Sequence, residues 1–328
     1  MLKKLHLDPL VLSILGTVAL ACLLPARGVG ALAAGDATKI AVGLLFFLYG
    51  ARLSPGQAWA GVRHWRLHLT VFCSTFVLFP LLGLAAHALV PAVLTPTLYA
   101  GVVLLCAAPS TVQSSIAFTS IARGNVSAAI CAASFSNLVG IVLTPLLVGA
   151  LMTTRGGGFS GHALIDITLQ LLLPFVLGQL SRRWLAGFVA RHKPVLGLVD
   201  RGSVLLVVYT AFSEGVVAGI WGQLSVTSLL ALVAVNIVLL AVVLTVTWFG
   251  PKLLGFSRED RITIMFCGSK KSLASGLPMA SVLFAGQSVG LIVLPLMLFH
   301  QIQLMVCAWL AQRLARTTAP GPEPALVA

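Results

Sequence analysis

Between residues 9 and 316 this chain is a succession of apolar stretches, most about 20 residues long, joined by short connectors that hold most of the charge. Each stretch is long enough for a helix to cross the roughly 30 Å of a bilayer's hydrocarbon. Only 9% of the residues are charged, against about 25% in a soluble domain. We therefore expect an all-α polytopic membrane protein with no room left for a soluble domain. The net charge of +13 does not point to nucleic acid, because the basic residues are scattered over connectors rather than gathered in stripes.

The expected helices are 9–25, 38–53, 66–90, 96–122 (interrupted), 125–152, 163–183, 196–220, 225–248, 259–285 (interrupted) and 288–314. The charges test this division independently. With the N-terminus in the cytoplasm, sixteen of the 21 Lys and Arg residues fall on the cytoplasmic side. Arg27, Lys39 and Arg155 fall outside, and Lys270 and Lys271 lie within a span. That is the positive-inside pattern, and an odd number of helices would scramble it. Ten helices in the plasma (inner) membrane, with both termini cytoplasmic, are expected. Lys3-Lys4 ahead of Leu10–Leu24 resembles a signal peptide, but the spans that follow favour an uncleaved first helix. Cys22, Cys73, Cys106, Cys131, Cys267 and Cys307 show no metal-ligand spacing and are expected to be small, unpaired packing residues.

The Gly-rich junction between Thr153 and Gly161 divides the chain into helices one to five (1–152) and six to ten (163–316), followed by a tail, 317–328, expected to be disordered. Five is odd, so two similar halves would lie inverted in the membrane, the plan of many secondary transporters. One internal echo supports it. The fourth helix holds Ala108-Pro109-Ser110-Thr111-Val112-Gln113-Ser114-Ser115, and the ninth holds Cys267-Gly268-Ser269-Lys270-Lys271-Ser272. Each sets a helix breaker and a dense polar run at mid-span. Freed backbone groups are tolerated at that depth only inside protein or beside water, and a matched pair of interrupted spans marks a transport site. Lysine at this depth costs several kcal/mol by most scales, so Lys270 and Lys271 are expected to face protein or a watery cavity.

These two segments resemble the bile acid:sodium symporter superfamily, and within it the sodium/bile acid cotransporter 7-like branch. The resemblance covers essentially the whole chain. It rests on Pro109–Ser115, on Ile121-Ala122-Arg123-Gly124-Asn125, on Gly268-Ser269-Lys270-Lys271-Ser272-Leu273-Ala274-Ser275-Gly276-Leu277-Pro278, and on His300-Gln301-Ile302-Gln303-Leu304-Met305. It implies two inverted five-helix repeats whose fourth and ninth helices are broken and cross at mid-membrane. It further implies a panel domain (helices 1, 2, 6, 7), a core domain (helices 3–5, 8–10), and an organic anion as substrate, usually driven by sodium.

The chain departs from the sodium-coupled members. Where those carry an acidic residue and an amide, it aligns Phe266 and Lys270; two hydroxyl ligands fall at about Ala129 and Ala133. Ser114 and Ser115 match the polar pair of the first broken helix. Losing a carboxylate while gaining ammonium groups opposes cation binding. No cofactor is implied, and sodium against proton coupling stays open at this point.

The expected site comprises Ser110, Thr111, Gln113, Ser114, Ser115, Ser269, Lys270, Lys271 and Ser272. Lys270 or Lys271 would stand in for the ion as a fixed positive charge, attract the anion beside half-helix N-termini, and be able to exchange a proton. Adjacent helical residues point about 100° apart, so one lysine at most faces the centre. Ser134, Ser136, Asn137, His300, Gln301 and Gln303 would orient the broken segments by hydrogen bonding or serve packing alone. Glu214 would pair with a lysine across the panel–core cleft, or sit in water near the outer interface. The partners are the lipid bilayer and a small organic anion, with no obligate protein partner evident. A membrane regulator of calcium homeostasis on the same fold is the alternative. An intramembrane enzyme would need a paired-Asp, Ser–His or zinc set that the spans do not present.

Overall fold

The computed structural model describes residues 9–52, 64–153, 161–219, 222 and 224–317. Among these residues the chain forms helices and no strand. They are α1 (Pro9–Leu23), α2 (Val29–Arg52), α3 (Trp65–Leu89), α4 (Pro96–Ala107), α5 (Gln113–Ile121), α6 (Val126–Thr153), α7 (Gly161–Arg191), α8 (Lys193–Val217), α9 (Val226–Leu253), α10 (Arg258–Gly268), α11 (Leu273–Leu283) and α12 (Val289–Arg316). Six of them (α2, α3, α6, α8, α9 and α12) are long and apolar enough to cross a membrane. The chain is a multi-pass integral membrane protein.

Local chemistry sets the helix ends. Thr95 accepts from the Leu98 amide at 3.3 Å and Pro96 follows it, so α4 starts there. Ser225 and Ser257 cap α9 and α10 in the same way, and Glu259 and Asp260 sit in the first turn of α10, where the helix dipole favours carboxylates. α4 and α10 have 12 and 11 residues. At 1.5 Å per residue each is about 17 Å long, half the hydrocarbon thickness. Both stop in the interior.

α1, α2, α7 and α8 pack on one another, and α3 to α6 pack with α9, α10 and α12. The tightest crossing joins α2 to α7. A Cβ added at Gly50 would run into the Phe175 carbonyl, and one added at Gly178 into the Phe47 carbonyl, so the two backbones touch. Near it the Arg52–Asp200 ion pair joins α2 to α8. α4 is buried from Leu98 to Ala107, with Gly101 against the Ile292 carbonyl of α12. A helix apolar all round belongs in such a core.

Several expected boundaries need correction. α2 begins at Val29, nine residues before the expected 38, because Asp36 and Lys39 pair one turn apart (3.1 Å) and the helix carries both charges through. Lys39 thus lies in the third turn of the helix rather than at its expected outer end. α7 runs to Arg191 rather than 183, with Arg183 stacked on Trp184 (3.8 Å), and α9 runs to Leu253 rather than 248. All six cysteines are free thiols. The start of the chain at Lys3-Lys4, the junction 154–160 and the tail 318–328 lie outside the described residues.

Candidate functional site

α4 ends because Pro109 forces the residue before it, Ala108, into an extended conformation (ψ 148°) and brings no N–H of its own. α10 ends at Gly268. A helix C-terminus leaves up to four carbonyls without intrahelical donors, and in hydrocarbon each must find one. Here each break supplies donors to the other. At the end of α10, Phe266 O accepts from Ser115 Oγ (3.1 Å) and Cys267 O from Ser110 Oγ (2.6 Å). Gly268 O accepts from Ser74 Oγ (2.9 Å), and Met265 O from Ser269 Oγ (2.6 Å). At the end of α4, Cys106 O and Ala108 O accept from Lys271 Nζ (2.8 and 2.7 Å) and Ala107 O from Thr144 Oγ1 (2.9 Å). Hydroxyls close one half-helix and an ammonium closes the other, where the negative end of the dipole favours a cation.

The third acceptor of Lys271 Nζ is Thr75 O, at 2.9 Å. This carbonyl lies in a π-helical turn of α3, Ser74–Leu78, whose wider winding disturbs the regular backbone ladder. The same turn aims Ser74 at α10. The ammonium also sits 4.1 Å from the centre of the Phe79 ring, and the residue is fully buried. Lys270 is buried too, but differently held. Its Nζ donates to Ser114 O at 2.7 Å and lies over the rings of Phe118 (3.8 Å) and Phe266 (5.3 Å).

A side-chain amide from the helix after each break pins the broken backbone. On α6, Asn137 Nδ2 donates to Ser110 O (2.7 Å) while the Ser110 amide donates to Ser136 Oγ (3.0 Å). Asn137 Oδ1 accepts from Ser275 Oγ of α11 (2.7 Å). On α12, Gln303 takes both sides of the Lys271 residue: its Oε1 accepts from the Lys271 amide and its Nε2 donates to the Lys271 carbonyl, both at 2.9 Å. Gln303 Nε2 also donates to His300 Nδ1 (2.8 Å), which makes that nitrogen the acceptor.

The second half-helices begin differently. Ser272 Oγ caps α11 by accepting from the Ser275 amide (3.2 Å). α5 has no side-chain cap at Val112, and its first turn is open to the surroundings, with Gln113 exposed and Ser114 half-buried. Thr111 and Ser114 share a hydroxyl hydrogen bond (2.8 Å) beside it.

Ser110, Thr111, Ser114, Ser115, Ser269, Lys270, Lys271 and Ser272 all lie at the paired breaks; Gln113 lies there too but faces outward. Ser136, Asn137 and Gln303 hold the broken backbone and His300 accepts from Gln303, whereas Ser134 and Gln301 make no such bond among the described residues. Glu214 is exposed near the end of α8. The ion pairs among the described residues are Asp36–Lys39 and Arg52–Asp200, so Glu214 pairs with neither lysine. The sequence reading overlooked Ser74, Thr75 and Thr144. Ser74-Thr75 was visible as a polar pair within an apolar helix, but the role of a backbone carbonyl leaves no mark in sequence.

Residues 8–316 match the model of the SBF-like CPA transporter family. An uncharacterized protein of Pseudomonas aeruginosa, PA2026, is 57% identical over 310 residues, covering 94% of this chain and 93% of the relative. The putative symporter YfeH of Escherichia coli K12 is 54% identical over 312 residues, 95% of this chain and 94% of its own. Sodium/bile acid cotransporter 7-B of Xenopus laevis is 30% identical over 275 residues, 82% of this chain and 79% of its own.

Proposed function

The chain belongs to the SBF-like CPA transporter family, and from that premise we propose that it is a secondary transporter of small organic anions working by alternating access in the cell inner membrane. α4–α5 and α10–α11 each act as one broken span, giving ten passes in two inverted repeats with both termini cytoplasmic. The packing of α1 on α8 and of α2 on α7 supports this, since exchanging the two halves turns one pair into the other. So does the matching use of Asn137 and Gln303 on the helices that follow the breaks. A panel of α1, α2, α7 and α8 moves against a core of α3–α6 and α9–α12.

The observation that carries the reading is the uncapped first turn of α5 with the Lys270 ammonium bonded to its Ser114 carbonyl at 2.7 Å. Free amides at a helix N-terminus attract an anion, and the lysine adds a full positive charge behind them. Gln113, Ser114 and Thr111 supply hydrogen bonds around the carboxylate. Two ammonium groups at the breaks repel a cation, so transport proceeds without sodium. The names of the relatives, a symporter and a sodium/bile acid cotransporter, agree with the transport class.

Reconstituted in liposomes, the protein is expected to exchange labelled organic anions in counterflow at the same rate in sodium and choline buffers. Lys270→Ala removes a charge-assisted interaction of about 1.5–3 kcal/mol, which corresponds to a loss of roughly tenfold or more in apparent affinity. Unchanged uptake in Lys270→Ala plus Lys271→Ala removes the lysines from the mechanism, and a strict sodium requirement overturns the coupling claim.

A further inference from the structure

An ammonium group has three N–H bonds, and in Lys271 all three end on backbone carbonyls: Thr75 O, Cys106 O and Ala108 O, at 2.7–2.9 Å. Lys270 has one carbonyl and two aromatic faces. The difference is one of kind. The three oxygens around Lys271 come from α3 and α4, so the helices that carry the lysine build no part of the cage. Carbonyl oxygens converging on one buried point form a cation site by their chemistry, as in channel filters. A neutral amine or a water donates only two hydrogen bonds and would leave one of the three acceptors unmet, and an apolar occupant would leave all three.

Two further features fit a cation. The Phe79 ring, 4.1 Å away, presents its negative face. The Thr75 hydroxyl in the same turn is buried and has no hydrogen-bond partner among the described residues, so this turn holds a second oxygen without a donor. Hard divalent ions are held largely by carboxylates, and the cage consists of neutral oxygens. Its occupant is monovalent.

The geometry points to a monovalent-cation site that the protein keeps filled with its own side chain: Lys271 is a tethered cation, not an exchanging one, and removing its side chain opens the cage to a free cation. The inference concerns the resting protein and stands whichever solute the protein carries. It divides the lysine pair, with Lys271 holding α3, α4 and the second break together and Lys270 left to face the open turn of α5.

The test uses purified full-length protein in detergent, unfolded thermally in choline, sodium, potassium, ammonium and methylammonium chlorides at equal ionic strength. Wild type is expected to melt at one temperature in all five. Lys271→Ala is expected to melt lower in choline and to regain several degrees, saturably, in ammonium or methylammonium, the ions that match hydrogen-bonding distances. Recovery of folded Lys271→Ala only when ammonium is present at extraction supports the site equally. Lys271→Met, whose stem still fills the space, is expected to be destabilised and blind to every salt. A Lys271→Ala protein that melts alike in all five salts overturns the inference. Should that variant fail to fold in any salt, amine labelling of wild type at rest decides: exposed Lys39 is modified and Lys271 is not, whereas a labelled Lys271 overturns the tether. None of these readouts uses transport, so their failure is separate from failure of the transport reading.

Discussion

Gly178→Ala is expected to destabilise the protein far more than alanine at a membrane helix normally does, and Gly50→Ala to do the same. A Cβ at Gly178 would overlap the Phe47 carbonyl and approach the Ala51 amide within 3.0 Å; at Gly50 it would overlap the Phe175 carbonyl and approach the Gln179 amide within 2.9 Å. The obstructing atoms are backbone, so no side chain can swing aside. α2 and α7 must move apart by about an ångström, and with them goes the close packing that drives helix association in lipid. Overpacking of this kind costs about 1–3 kcal/mol and sometimes more. The two clashes share one remedy, so Gly50→Ala plus Gly178→Ala is expected to cost little more than the worse single change. Gly43 on α2 and Gly187 on α7 have nothing within 4 Å of an added Cβ, and alanine there is expected to be neutral or stabilising. Thermal unfolding of the five proteins beside wild type checks this. Equal melting of Gly178→Ala and Gly187→Ala would sink the claim of backbone contact.

That crossing also marks where sequence reading stopped. The helices and both breaks were legible because apolar length dictates a span and because Pro109 and Gly268 interrupt spans that are otherwise uniform. The amide pins were half legible: Asn137, His300 and Gln303 stood out as polar residues at depth, and a buried amide must bond to something. Which backbone group each one holds depends on three-dimensional register that no single helix encodes. Gly50 and Gly178 were invisible among 31 glycines, since nothing local separates a glycine that admits a carbonyl from one that faces lipid. The expected start of the second helix at 38 fell nine residues late, since the helix carries Asp36 and Lys39, which satisfy each other on one face.

The lysine pair was legible as an anomaly and not as two different devices. Position alone offers neighbours at 100° to each other. The division between them comes from the π-helical turn of α3, which brings the Thr75 carbonyl to Lys271. Apolar sequence on either side of Ser74 does not announce that turn. Glu214, a carboxylate in an apolar helix, left pairing and an interfacial place both open from sequence, and it is exposed near the helix end.

Gln303→Leu is expected to lose transport almost entirely and to unfold at a markedly lower temperature. Leucine keeps the bulk and removes every hydrogen bond. The Lys271 amide, the Lys271 carbonyl and His300 Nδ1 would each lose a partner at 2.8–2.9 Å in a fully buried place, the last two being left with the longer 3.3 Å contact between them. An orphaned buried polar group costs about 1–3 kcal/mol. One group orphaned outright and two left with a weaker bond take a sizeable share of the roughly 5–15 kcal/mol that keeps a domain folded. The loss falls on the second break, because Gln303 is what ties the Lys271 backbone to α12 while its ammonium holds α3 and α4. Gln303→Glu separates the two halves of the clamp. Its carboxylate still accepts from the Lys271 amide but cannot donate to the Lys271 carbonyl or to His300 Nδ1, so an intermediate melting temperature is expected. Uptake and thermal unfolding measured on one preparation of each variant check the order wild type, Gln303→Glu, Gln303→Leu. A Gln303→Leu protein that melts with wild type would mean that the break holds its shape without the clamp. The carbonyl cage around Lys271 would then have to fix the position of the broken helix alone.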